Sequence, residues 1–131
     1  MTAATNRIEK LQATKTLILE AARDAVALSG WRDAQIAAIA ARAGVATGSV
    51  YRYFESKADL YAQVLSLVSQ REVDVVKAVV DSEGSAAQRL VDAIYVFSMR
   101  AMRGRRLAYA LIAEPCEPEI DAARLTYRAA L

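Results

Sequence analysis

The apolar positions of this chain recur at helical intervals (i, i+3, i+4, i+7) almost throughout, and no stretch alternates as a half-buried strand does. Asn6-Arg7-Ile8-Glu9 has the form of a capping box, predicting a helix to about residue 29 with Leu11, Ile18, Ala22, Ala25 and Leu28 inward and Gly30 as its stop. Ile36, Ile39, Ala40 and Ala43 share one face of a short second helix. Gly44 ends it, where the chain must take a left-handed conformation that costs glycine little. A third helix follows, with Val45 and Val50 as its contacts across the second. Ser56 with Asp59 caps a long helix over about 57–81. Ser85-Ala86-Ala87-Gln88 is another capping box, opening a helix to about Arg103 with Leu90, Ile94, Phe97 and Ala101 on one face. Gly104 breaks that helix. A short helix over 107–113 ends at the loop of Pro115 and Pro118, and 121–131 reads as one more. The expected fold class is all-α.

The most informative stretch runs from Ile36 to Lys57. Two short helices meet at a glycine, Ala40 is small where a crossing helix must approach, and the second helix carries Thr47, Ser49, Tyr51, Arg52 and Tyr53. An ordinary helical hairpin in a core has little use for polar-tipped side chains in such density. The pattern is that of a helix-turn-helix whose second helix faces DNA.

Gly30-Trp31, Ile39-Ala40, Ala43-Gly44-Val45, Gly48-Ser49-Val50-Tyr51, Tyr53-Phe54, Ser56-Lys57 and Asp59-Leu60 together make the chain similar to the tetracycline-repressor (TetR) family of transcriptional regulators. With the preceding helix the resemblance covers about residues 10–65. It implies a three-helix DNA-binding domain followed by a helical effector and dimerisation domain. We place these at 1–60, with the linker helix starting near 57, and at 61–131. The family usually opens the helix before the turn with a pair of hydroxyl residues. Here Ala34-Gln35 stand there, leaving Asp33 to cap the helix and Gln35 to reach a phosphate. Ala46, where serine is common, weakens the cap of the reading helix.

Physics and resemblance assign the same roles. Thr47, Ser49 and Arg52 lie on the exposed face, where Arg52 suits guanine O6 and N7 and the hydroxyls suit either base type. Tyr51 and Tyr53 donate to backbone phosphates by analogy; the competing reading is core packing with a wet hydroxyl. Lys57 joins the free N–H groups at a helix start, and Gly48 lets the backbone approach DNA. Phe54, Trp31 and Leu60 read as core.

Composition sets looser bounds. A chain of 131 residues that is 55% hydrophobic has enough core to fold without disulfide or metal, burying about two-thirds of its unfolded surface. No apolar run approaches about 18 residues and no leader is visible, so no membrane partner and a cytoplasmic location are expected. The single cysteine, Cys116, reads as a small apolar residue, with redox sensing as the alternative. The net charge of +2 permits nucleic-acid binding without announcing it. Residues 1–60 carry eight basic and six acidic groups, so the excess lies with the motif. There is no histidine, no Gly-rich phosphate loop and no metal-ligand spacing, which argues against an enzyme, a metal or a cofactor.

The second half is expected to hold a mostly apolar effector pocket, with Tyr95, Phe97, Met99, Met102, Tyr109 and Tyr127 as candidate lining; the same set at helical spacing also reads as plain core. Arg100, Arg103, Arg105 and Arg106 form the densest basic cluster, read first as a helix end satisfying its own last carbonyls, with an acidic ligand or partner as the alternative. The pattern at 126–131 has no terminator, so the C-terminal domain is expected to be incomplete. The functional expectation is a sequence-specific DNA-binding regulator, a repressor released from a palindromic double-stranded DNA operator by a small apolar effector and acting as a homodimer. The alternative is a helical interaction or dimerisation module without stable DNA binding.

Overall fold

The computed structural model describes residues 2–130, and these form seven α-helices: α1 (Thr2–Asp33), α2 (Ile36–Ala43), α3 (Thr47–Tyr53), α4 (Lys57–Val80), α5 (Ala86–Arg103), α6 (Arg105–Ile112) and α7 (Pro118–Ala130). No strand occurs among the described residues. α1 packs against α2, α4 and α6, while α4 is the common beam, touching α1, α5 and α7.

Most stops and starts follow local chemistry. α1 kinks at Gly30 (φ 80°, ψ 176°), and residues 31–33 make one further turn that drives Trp31 into the core. The dihedral calls for glycine, and an added side chain would also push aside the Glu114 carboxylate that accepts the Trp31 N–H. Ser56 Oγ accepts the Asp59 N–H (3.0 Å) and Asp59 Oδ2 accepts the Glu55 N–H (3.0 Å), a reciprocal cap that starts α4. Ser85 Oγ accepts the Gln88 N–H (3.2 Å) at the head of α5, and Gly104 separates α5 from α6.

Several expectations are corrected. Asn6 does not start a helix, because α1 is already running at Thr2. Asp33 does not cap α2: the N-cap is Gln35, without a side-chain hydrogen bond. α6 begins at Arg105 and α7 at Pro118, whose missing N–H costs nothing at a first helical position. Leu11 and Leu28 have the right period, but their side chains are exposed. Leu90 and Ile94 likewise stay exposed on α5, Phe97 of the same face turns toward the cavity described below, and only Ala93 of that helix is buried. The end of the last expected helix, Leu131, lies outside the described residues.

The core is continuous. Ile18, Ala22, Val26 and Trp31 of α1 join Ile39, Val50 and Phe54 of the motif, Leu60, Tyr61, Val64 and Leu65 of α4, and Ala110 and Ile120 beyond. The helix-turn-helix is therefore built on the first half of α4, not hung from it by a flexible linker.

Candidate nucleic-acid interface and the cavity behind it

The turn between α2 and α3 is set by Gly44 (φ 74°, ψ 30°): its N–H bonds the Ala41 carbonyl (3.2 Å) and the Val45 N–H bonds the Ala40 carbonyl (3.0 Å). This pairing satisfies the last carbonyls of α2 and turns the chain sharply. The cap of α3 is weak, as Ala46 implies, with no side-chain bond at its head. Tertiary packing compensates. Val50 and Phe54 are buried against Ile39 and the rest of the core, and Phe54 leaves the helix in an extended conformation (φ −133°, ψ 132°).

What α3 leaves outside is polar. Thr47, Gly48, Tyr51 and Arg52 are exposed, and Ser49 is half-buried. Tyr53 is half-buried with its ring against the core, so its packing and its wet hydroxyl coexist. Gln35 is exposed at the head of α2, and Lys57 is half-buried at the head of α4. Among the described residues, the side chains of Gln35, Thr47, Ser49, Tyr51, Arg52 and Tyr53 have no hydrogen bond or ion pair. Gly48 faces open space, so the fold itself would tolerate a side chain there.

The charges near α3 are partly sorted. Arg42 and Arg23 are held by Asp24 (3.5 and 2.8 Å) and are compensated. Lys57 Nζ lies 5.3 Å over the Tyr61 ring, and Lys15 Nζ lies 5.5 Å over the Phe54 ring. Lys15 was invisible as a candidate in the sequence; it lies a turn before buried Ile18, and only the packing of Phe54 on α1 brings it beside the end of α3.

Behind the motif, three polar contacts tie it to the remaining helices. Tyr61 Oη donates to the Ala34 carbonyl (2.8 Å) just ahead of α2, and its ring lies 5.2 Å from that of Trp31. Burial pushes the Tyr61 phenol well above its ordinary range, with Glu117 and Tyr51 adding to the effect. Trp31 Nε1 donates to the Ala110 carbonyl (2.6 Å), and the Trp31 N–H to Glu114 Oε2 (3.1 Å). Arg124, nearly buried, donates to that same Ala110 carbonyl (2.9 Å), to those of Glu114 (2.9 Å) and Leu111 (2.8 Å), and to Asp121 (2.7 Å). One carbonyl on α6 thus joins the start of the motif to α7.

A cavity of about 530 Å³ lies between α4, α5, α6 and α7, and Arg124 and Leu111 belong to its wall. Of the aromatic and methionine candidates, Phe97 and Tyr127 line it. Tyr95, Met99 and Met102 are exposed on α5 away from it, so they are neither lining nor core. Tyr109 is exposed on α6 and borders a smaller hollow with Gly30 and Glu114. Sequence reasoning missed the aliphatic wall, Val68, Val73, Val76, Leu107 and Leu111. Its only sequence signal was the valine spacing along α4.

The basic cluster is also reassigned. Arg100 reaches across to Glu72 on α4 with two bonds of 2.7 Å, which raise its own pKa, and Arg106 donates to the Leu28 carbonyl of α1. These two arginines serve neighbouring helices, not the end of α5. Cys116 packs half-buried beside the core with its thiol 3.7 Å from Asp121 Oδ1, and burial pushes that thiol up, away from the reactive thiolate.

The comparisons with known proteins agree with this geometry. Residues 18–64 match the model of the bacterial regulatory proteins of the tetR family. Among curated proteins no sequence matches. Solved structures share the fold. The fatty acid degradation regulator FadR from Bacillus halodurans is 24% identical over 88% of this chain and 60% of its own, with a TM-score of 0.68. A TetR family protein from Vibrio parahaemolyticus is 24% identical over 88% and 63%, with a TM-score of 0.70. A tetR family regulator from Shewanella sp. PV-4 is 29% identical over 89% and 66%, with a TM-score of 0.68. This chain therefore spans between 60% and 66% of the length of those three. Residues 18–64 are thus similar to the bacterial regulatory proteins of the tetR family, and the helical body behind them has the fold of the solved tetR-type structures.

Proposed function

We propose that this protein is a sequence-specific DNA-binding transcriptional regulator of the cytoplasm, a repressor that holds a palindromic operator as a homodimer and leaves it when a small effector fills the cavity. The observation that carries this reading is the uncommitted polar face of α3, held on a helix immobilised by Val50 and Phe54. In this reading Arg52 takes guanine O6 and N7, and Thr47 and Ser49 read neighbouring bases. Gln35, Tyr51, Tyr53 and Lys57 contact phosphates, which set the register without carrying sequence. Gly48 gives the backbone room against the duplex. Lys57 acts together with the free N–H groups at the start of α4. One such helix spans only a few base pairs, so useful affinity needs two copies on two half-sites.

Release follows from population shift: the effector must bind the DNA-incompetent arrangement better. The contacts suited to transmit it are those of Arg124 and Trp31 on the Ala110 carbonyl, because a displacement of α6 relative to α1 and α7 changes both. The protein is read as non-enzymatic, like the tetR-type regulators it resembles. No helix among the described residues is long and apolar enough to cross a membrane.

One observation favours a second reading, an interaction module without stable DNA binding: Leu90, Val91, Ile94 and Tyr95 leave α5 apolar and exposed. Fluorescence anisotropy with a palindromic fragment from the region upstream of the protein's own gene separates the two. The regulator binds with a steep inverse dependence on salt, at two copies per fragment by light scattering. A protein that self-associates but shows no salt-dependent binding to any such fragment is the interaction module instead.

A further inference from the structure

Resting on the reading of the cavity as the effector site, we propose that its ligand is an amphipathic organic anion, an apolar body carrying a carboxylate or phosphate-type head. The walls are Val68, Val73, Val76, Phe97, Leu107 and Leu111, which offer a ligand little beyond apolar contact. A volume of about 530 Å³ suits a small molecule. The polar groups are unevenly signed: four guanidinium groups, those of Arg100, Arg103, Arg124 and Arg128, face a single carboxylate, Glu72.

Two of these cations are already neutralised. Arg100 makes two bonds of 2.7 Å to Glu72, and Arg124 bonds Asp121 at 2.7 Å while its other donors go to main-chain carbonyls. The other two are not. Arg103 has no partner among the described residues, and Arg128 donates only to the uncharged Ile112 carbonyl (3.0 Å). Both of these side chains are exposed and keep their heads in water, so a neutral apolar ligand gains nothing from them and a cation meets repulsion. An anion accepts bidentate, charge-assisted bonds from the free cations while its body covers the valines and leucines.

Four probes with the same ten-carbon body separate the possibilities: decanoate, decyl phosphate, decanol and decyltrimethylammonium, each titrated below self-association. Trp31 is the single tryptophan and shares the Ala110 carbonyl with Arg124 of the wall, so its fluorescence reports binding beside calorimetry. At least one of the two anions should bind about 10-fold or more tighter than decanol, with the ammonium weakest. The tighter anion identifies the head group. The double variant R103Q/R128Q should bring the anions to within about twofold of decanol, leaving decanol affinity and the circular dichroism spectrum unchanged. The variant L107W, which fills the cavity, should weaken decanoate and decanol together. Decanol binding as tightly as both anions, or anion affinity surviving R103Q/R128Q, would overturn the anionic ligand while leaving the cavity an effector site. Failure of all four probes to bind would overturn the cavity reading and this inference with it.

Discussion

Tyr61→Phe removes a single oxygen atom and tests whether α4 holds the motif through a hydrogen bond or by packing alone. The ring is fully buried, and its hydroxyl donates to the Ala34 carbonyl at 2.8 Å, one residue before the N-cap of α2. Phenylalanine keeps the ring beside Trp31, so almost no volume is lost. The cost is that of a buried carbonyl left without its donor, about 1–3 kcal/mol. For a chain of 131 residues each kcal/mol corresponds to about 3–5 °C, so the midpoint should fall by about 6–10 °C for a loss near 2 kcal/mol.

The same residue makes the effect depend on pH. Burial holds the phenol protonated in the folded protein, whereas in the unfolded chain it ionises near pH 10. Below that pH both states are protonated and the group adds no slope. Above it the unfolded state loses the proton first, so wild-type stability falls with rising pH by up to about 1.4 kcal/mol per unit. The variant lacks that term, and its deficit against wild type should shrink between about pH 10 and 11. Urea unfolding followed by circular dichroism at neutral and alkaline pH measures both effects. A neutral-pH loss below about 0.5 kcal/mol, or a deficit that does not shrink at high pH, would refute the assignment of the hydroxyl as an anchor.

Gly30→Ala must place a Cβ at positive φ and against the Glu114 carboxylate; a loss of about 1–3 kcal/mol in urea unfolding is expected, and a neutral result would remove the case for a required kink. Lys57→Ala should weaken all DNA sequences alike and flatten the salt dependence by about one counterion, whereas Arg52→Ala should relax preference at one position of each half-site; equal effects of the two across a randomised operator pool would contradict the roles proposed. Glu20 is held below its ordinary pKa chiefly by its hydrogen bond from Arg71 of α4. That stabilisation is present above about pH 4.5 and lost as pH falls through the depressed value, so Glu20→Gln should reduce the acid sensitivity of unfolding; an unchanged acid limb counts against it.

What the sequence determined by itself is local. Gly44 ends α2 and Gly30 kinks α1 at positive φ, which glycine adopts at little cost, and Ser56 and Ser85 start helices by capping them; such signals act within a few residues and are readable without neighbours. The polar outer face of α3 was legible for the same reason, since exposed Thr47 and Arg52 separate from buried Val50 by helical period alone. Periodicity failed where it had to say what covers a face. Leu11, Leu28, Leu90 and Ile94 have the spacing of core residues and stay exposed, because an apolar stripe is buried only if another element arrives to meet it. Only the tertiary structure decided the cavity, whose lining runs from Val68 to Arg128 on four helices. It alone separated paired Arg100 and Arg124 from unpaired Arg103 and Arg128, and it brought Trp31 and Arg124 to one carbonyl from opposite ends of the chain. Charges and polar tips take their meaning from their partners, and partners distant in sequence become neighbours only when the helices pack.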